Sequence, residues 1–255
     1  MSLRSEVRTT RGRQMAIRSG TQRRRDAILG LLKTGSWSIP RLAGELETSE
    51  STIRRDLREL AADGEIIRTI GGAAAAGYVE PPLGERMEQQ AEAKDAIAAA
   101  AFERLDDAGV RTVFLDAGST TVRLAERIRD RSELTVFTRG LEIALALAHP
   151  AGPRVIMVGG EVSTLSHGTT GALSDHALSR IHVDIAFLGA DAVDTTQGLG
   201  EPSLDEARTK ELIAERARTV IVLADSSKSG REVAAWAPMP TGWTWIDEHG
   251  EHPRS

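Results

Sequence analysis

The sequence contains no cysteine, which excludes a disulfide scaffold, a thiolate metal site and cysteine nucleophile chemistry. Long apolar runs are missing too. The longest, Ala96 to Phe102, is seven residues of mostly alanine, far short of the ~20 that span a bilayer. No hydrophobic segment follows the N-terminal arginines, so neither a secretory signal nor a membrane partner is expected, and the expected location is cytoplasmic. Aromatic residues make up only 4% of the chain. The six histidines are scattered without metal-ligand spacing, and no Gly-x-Gly-x-x-Gly follows a strand. No metal, cofactor or catalytic group is therefore expected.

What is present is ordinary for a globular protein: 255 residues, 40% apolar and 27% charged, enough for one or two domains. The charge is uneven. Residues 1–77 carry 14 Lys and Arg against 9 Asp and Glu, whereas residues 78–255 carry 18 against 28. A basic end on an acidic body fits a chain whose one end meets a polyanion, although an arginine-rich irregular tail gives the same balance.

Residues 1–20 lack apolar periodicity and read as a disordered leader. Helical spacing then begins: Ala27, Ile28, Leu31 and Leu32, ending at Gly35; Ile39, Leu42, Ala43 and Leu46, with Pro40 in the first turn; and, after the polar turn 47–49, Ile53, Leu57, Leu60 and Ala61, stopped at Gly64. An extended run, 65–70, closes on Gly71-Gly72. That order is the layout of a small winged helix-turn-helix domain, expected over 21–77. The Ala/Gly stretch 73–77 and Pro81-Pro82 read as a hinge, leading into one helix over roughly 83–107, so that 78–109 is the expected linker. From 110 to 255, five β-branched runs (110–114, 134–137, 155–158, 185–188 and 220–223) alternate with helical stretches. This alternation predicts an α/β domain with a mostly parallel sheet.

Two groups of residues stand out. The third helix opens on Ser49, Ser51 and Thr52 and carries Arg54, Arg55 and Arg58 away from its apolar face. A recognition helix needs such residues: its first turn meets base edges, and arginines reach bases or phosphates. A capped helix with a solvated arginine face is the plainer reading of that segment taken alone. In the α/β half, each strand run is followed by small or charged groups: Asp116-Ala117-Gly118-Ser119-Thr120-Thr121, Thr138-Arg139-Gly140, Gly159-Gly160-Glu161, Gly189-Ala190-Asp191 and Asp225-Ser226-Ser227-Lys228. Ligands of open parallel sheets bind outside the carboxyl ends of strands, so these segments are expected to gather at one edge. Gly118 to Thr121 would offer amides and hydroxyls to an anion at a helix start, Lys228 a point charge, and Asp116, Asp191 and Asp225 acceptors for sugar hydroxyls. A sugar phosphate suits this mixture better than a nucleobase. Trp236, Trp243 and Trp245 read as packing residues, and His249 and His252 as part of a polar tail.

The segment Ser49-Glu50-Ser51-Thr52-Ile53-Arg54-Arg55-Asp56-Leu57, with Arg68 and Gly71-Gly72-Ala73, resembles the signature of the DeoR family of bacterial sugar-metabolism repressors. Asp116 to Thr121, Gly159-Gly160, Asp184 to Asp191, Lys210 and Asp225 to Lys228 resemble that family's sensor domain, which is related in fold to ribose 5-phosphate isomerase. The resemblance runs from about residue 21 to 246. It implies a repressor that binds double-stranded operator DNA as a homodimer or homotetramer, with Arg68, Gly71 and Gly72 in its wing, and that answers to a phosphorylated sugar. It also implies that Gly118, Ser119, Thr120, Thr121 and Lys228 hold the phosphate, with Asp116, Thr138, Asp191, Glu206 and Lys210 in the pocket. The chain departs from the pattern at Arg139 (usually Asn), Ala192 (Gly), Gly200 (Thr) and Ile70 (a polar residue). It also stops soon after Ile246, so a last strand is expected to be lacking. Two other readings remain: an aldose–ketose phosphate isomerase with an accessory DNA-binding domain, which would enlist Asp116, Asp191 or Glu206, and an oligomerisation core that binds no metabolite.

Overall fold

A computed structural model of the protein describes residues 20–32, 37–63, 65–69, 72–75, 83–106 and 109–254. All of the expected leader except Gly20 lies outside these residues, as do Gly35, Gly64, Ile70, Gly71 and Pro81-Pro82. The chain divides into two compact units, Met1–Val79 and Glu80–Ser255.

In the first unit, helix α1 (20–32) is followed by strand β1 (Trp37–Ser38), α2 (Ile39–Glu45), α3 (Glu50–Ala62), β2 (Ile66–Thr69) and β3 (Gly72–Ala75). Ser38 caps α2, with Pro40 in its first turn, and Ser49 caps α3 by accepting from Thr52 N. The apolar positions read from the sequence close one core: Ile28, Leu32, Leu42, Ile53, Leu57 and Leu60 are all at most 3% exposed. Asp56, buried at 2%, ties α3 to α1 through Arg24 (2.6 Å) and Arg25 (3.5 Å). The three strands form an antiparallel sheet in the order β1-β3-β2, which gives a winged helix-turn-helix. One expectation is corrected here. Gly72 to Ala75 are neither turn nor hinge but the central strand of the wing, with Thr69 opposite Gly72. Alanine is a weak strand former, and pairing on both sides overrides its preference.

In the second unit, a seven-stranded sheet has the order β15-β14-β12-β9-β4-β5-β6. Six strands are parallel: β4 (Thr112–Leu115), β5 (Thr135–Thr138), β6 (Arg154–Met157), β9 (Val183–Leu188), β12 (Ala217–Leu223) and β14 (Thr244–Asp247). Successive side chains along the central strands point to opposite faces, and both faces are buried. Val113, Leu115, Ile185, Phe187, Ile221 and Leu223 face helices α5 (Ala91–Glu103), α6 (Ser119–Arg127) and α7 (Leu141–Leu147). Phe114, Ala186, Leu188, Val220 and Val222 face the other core, with α9 (Leu204–Glu215) and Leu178 of α8 (Ala172–Leu178). Both faces are covered, as a parallel sheet requires.

Several elements differ from expectation. The single helix over 83–107 is two, α4 (Leu83–Glu88) and α5, parted at Gln90, whose φ of +53° is left-handed. Nor is α5 a free connector: Ile97, Ala98 and Ala101 are fully buried in the first core. A small antiparallel sheet, β10 (Ala192–Asp194), β11 (Gly198–Glu201) and β13 (Ala235–Ala237), also joins the fold. Within it Ala192 pairs with Gly200, and a Cβ on Gly200 would come within 2.7 Å of the Ala192 methyl and 2.5 Å of Val233 Cγ2. The two departures from the family pattern are therefore one packing solution, a methyl on one strand filling space left by the other. A two-strand ribbon, β7 (Glu161–Val162) with β8 (Thr169–Thr170), precedes α8. The polar tail is instead a hairpin: β15 (Gly250–Pro253) runs antiparallel to β14, with His252 5.0 Å from the Trp245 ring and 2.9 Å from Asp247. Trp243 and Trp245 are buried beneath it, and Trp236 is half-buried.

Candidate functional site

The chain runs β4, β5, β6 in one direction across the sheet, then returns to β9 on the other flank of β4 and proceeds to β12 and β14. The carboxyl ends of β4 and β9 therefore lie at a topological switch point, where connecting loops diverge and leave a crevice. Asp116 N donates to Phe187 O at 3.0 Å, which stitches the two ends together. Asp116 to Thr121 follow β4, Thr138 to Gly140 follow β5, Gly189 to Asp191 follow β9, and Asp225 to Lys228 follow β12, all at the same edge.

Helix α6 begins at this crevice. Its N-cap, Gly118, supplies no side chain, so the first-turn amides have no capping partner. Ser119 and Thr120 are only 7% and 8% exposed, yet their hydroxyls make no hydrogen bond to any described residue. Thr121 Oγ1, in contrast, donates to Gly118 O (2.9 Å), and Thr138 Oγ1 donates to Leu115 O (2.7 Å) while accepting from Gly140 N (3.0 Å). Both of these threonines are spent on the backbone and position the loops.

Behind α6 lies a buried charge cluster. Asp116 is wholly buried. Its Oδ1 accepts from Ala117 N (2.8 Å) and Arg139 Nε (2.6 Å), while Oδ2 lies 3.4 Å from Lys210 Nζ. Arg139, 1% exposed, also reaches Glu206 Oε2 (2.6 Å), and Glu206 Oε1 accepts from Ser166 Oγ (2.7 Å). Lys210 Nζ donates to Gly189 O (2.7 Å) and to Glu201 Oε1. Towards the surface, Asp191 lies 3.4 Å from Lys228 Nζ and 3.6 Å from Arg86 of α4. Lys94 of α5 caps the end of α4 through Gln89 O (2.6 Å) and Arg86 O. Burial pushes Lys94 down to about 8. Asp225 caps the turn Ser226–Lys228, which makes it a turn residue.

Desolvation dominates the pKa of Glu201. With help from Asp191 and Glu206, and against Lys210, it pushes the carboxyl up to about 8. Lys210 beside it is raised in turn, against its own burial, by the charges of Glu201 and Asp116. Because the folded value of Glu201 lies above the ordinary 4.5, this group's contribution to stability is fully present below pH ~4.5 and is lost progressively as pH rises to about 8. Denaturant melts between pH 5 and 8.5 are expected to show stability falling with pH in the parent and a shallower fall in Glu201→Gln. Equal slopes would assign the titration elsewhere.

In the other unit, α3 carries Ser49, Ser51 and Thr52 at its start, with Ser49 Oγ 2.9 Å from Ser51 Oγ and 2.8 Å from Thr52 Oγ1. Arg54, Arg55 and Arg58 are exposed on the side away from the core. Arg54 meets Glu50 (2.6 Å), Arg55 meets Glu59 (3.5 Å), and Arg58 Nε donates to Arg54 O (3.2 Å). Arg68 lies in β2 and Gly72 in β3, while Gly71 is outside the described residues. Sequence reasoning missed Arg86, Lys94, Ser166 and Glu201, and noted Arg139 as part of a strand-end segment and as a departure from the family pattern, not as a site residue. Apart from the local contacts of Lys94 and Glu201, their partners lie far away in the chain, as Arg86 with Asp191 and Arg139 with Glu206, which no local pattern reports.

Two family models match. The DeoR-like helix-turn-helix domain covers residues 24–77, and the DeoR C terminal sensor domain covers residues 89–238. The chain is 37% identical over 196 residues to the HTH-type transcriptional regulator GlpR of Haloferax volcanii, covering 76% of each chain. It is 34% identical to the glycerol-3-phosphate regulon repressor of Escherichia coli strain K12, covering 83% of each. A putative aga operon transcriptional repressor of Escherichia coli O157:H7 is 33% identical, over 84% of this chain and 80% of its own. Among solved structures, ribose 5-phosphate isomerase A of Methanocaldococcus jannaschii superposes with a TM-score of 0.40 and 20% identity over 55% of each chain.

Proposed function

This chain belongs to the DeoR family, and from that premise we propose that it represses a carbohydrate-metabolism operon, binding operator DNA through α3 and the wing and a phosphorylated sugar or polyol at the strand-end crevice. One observation carries the effector half of the reading: the uncapped start of α6 at the switch point, where the largely buried Ser119 and Thr120 keep hydroxyls that are open to solvent and unpartnered among the described residues, beside free amides. A helix start of this kind favours a phosphate, whose oxygens accept from the amides of residues 119–121 and from the Ser119 and Thr120 hydroxyls. Lys228 then supplies charge from the β12 side, and Asp191 and Asp116 face the sugar.

The DNA half rests on the exposed Ser/Thr and Arg residues of α3, whose apolar side is fully committed to the core. An oligomer of matched heads suits paired half-sites about 34–36 Å apart. The test is operator binding, followed by fluorescence anisotropy on DNA from upstream of the chain's own gene, with and without a panel of phosphorylated sugars and polyols. At least one phosphorylated compound is expected to change the affinity, and its unphosphorylated counterpart is not. Reciprocity then requires operator DNA to change effector affinity by the same factor. Affinity unmoved across the panel would remove the sensor role. Turnover of a panel member would favour the isomerase reading instead.

A further inference from the structure

We infer that the effector is a short-chain phosphorylated polyol and that the buried Arg139 guanidinium is what limits its length. This rests on the crevice being the effector site. The crevice has an open end and a closed one. At the open end, on the sheet edge where α6 also starts, Asp191 and Lys228 are 13% and 14% exposed. At the closed end Asp116, Arg139, Glu206 and Lys210 are each at most 5% exposed.

Arg139 fills that closed end. Its guanidinium bridges Asp116 and Glu206 at 2.6 Å each, and Nη1 lies 3.4 Å from Thr169 O. No slack lies behind it, since a Cβ on Gly168 would come within 2.7 Å of Nη1. The same contacts use up the acceptors a sugar would need. Asp116 Oδ1 takes Ala117 N and Arg139, Glu206 Oε1 takes Ser166, and Glu206 Oε2 faces Arg139. Two carboxylate oxygens remain buried without a hydrogen bond: Glu206 Oε2, held in its ion pair 2.6 Å from Arg139, and Asp116 Oδ2, which has only Lys210 at 3.4 Å. A ligand with its phosphate on α6 can give one hydroxyl to Oδ2, and beyond that oxygen it meets the salt-bridged wall. A longer sugar must push the guanidinium off two buried carboxylates and leave them uncompensated, which is strongly unfavourable.

The experiment is isothermal titration of the full chain with glycerol 3-phosphate, ribose 5-phosphate and fructose 6-phosphate. The parent is expected to bind glycerol 3-phosphate at least about tenfold more tightly than fructose 6-phosphate. Arg139→Asn is expected to narrow or reverse that gap, as is the charge-balanced pair Arg139→Asn with Glu206→Gln, which guards against loss of folding in the single variant. A parent that prefers fructose 6-phosphate overturns the inference, and so does a gap unchanged in a natively folded variant. Failure of the parent to bind any phosphorylated compound would instead bring down the effector reading itself.

Discussion

Replacing Asp116 by alanine is expected to destabilise the Glu80–Ser255 unit by about 3–5 kcal/mol, among the largest losses a single substitution produces. The carboxylate is fully buried and meets both Arg139 and Lys210, themselves 1% and 3% exposed. Its removal leaves two cations in the interior with Glu206 as their main remaining counter-charge. The cost is that of stranding charge, not the net worth of the pairs, because two buried ions are already expensive to desolvate. Removing the cation as well, in Asp116→Ala with Arg139→Met, is therefore expected to recover much of the loss. Guanidinium melts followed by tryptophan fluorescence suit the measurement, since Trp236, Trp243 and Trp245 all report on this unit. A loss below ~1 kcal/mol in Asp116→Ala would mean that the cluster does not form.

Arg54→Ala and Arg55→Ala should each weaken operator binding by about 1–3 kcal/mol if the side chain reads a base. An arginine on phosphate weakens all sequences alike and lowers the salt slope by about one. Neither change should matter to folding. Both side chains are more than half exposed, and their ion pairs with Glu50 and Glu59 are surface pairs on one helix, contributing at most ~0.5 kcal/mol. Anisotropy titrations at several salt concentrations separate the two contact types. Parental affinity in both variants would take α3 out of the groove.

The periodic parts of the chain were readable because burial imposes a period. Ile53, Leu57 and Leu60 place α3, and the β-branched runs around Val113, Val136, Val155, Ile185 and Val222 place five of the six parallel strands. The switch-point crevice followed from the same alternation, since whatever succeeds parallel strands must share an edge. Elements held by partners instead of by their own composition were not readable. Ala73 to Ala75 become a strand only because β1 and β2 flank them, and Gly198 to Glu201 only because Ala192 to Asp194 and Ala235 to Ala237 pair with them. Gln90 parts α4 from α5 with no glycine or proline to announce it, and the buried Lys94 caps the end of α4 beside it. The cluster's outline was visible in Asp116, Glu206 and Lys210. The occupation of its two carboxylates by Arg139 was not, because it depends on how far one side chain reaches across neighbouring strands.

The two flanks of the seven-stranded sheet are unlike. On the β15 side the last strand is Gly250-Glu251-His252-Pro253, with charge and a proline that cannot donate to a ladder, devices that discourage another chain from adding there. On the β6 side the outermost strand is Arg154-Val155-Ile156-Met157, which follows Pro153 and opens on an exposed arginine but has two adjacent β-branched residues at its centre. The β6 border is thereby the one with the longer uncharged stretch, Val155 to Met157. Two molecules pairing there antiparallel about a twofold axis would set Val155 against Ile156 and Arg154 against Met157, spending the border in both at once. Joining of that kind ends with a twofold pair and cannot propagate into a fibre.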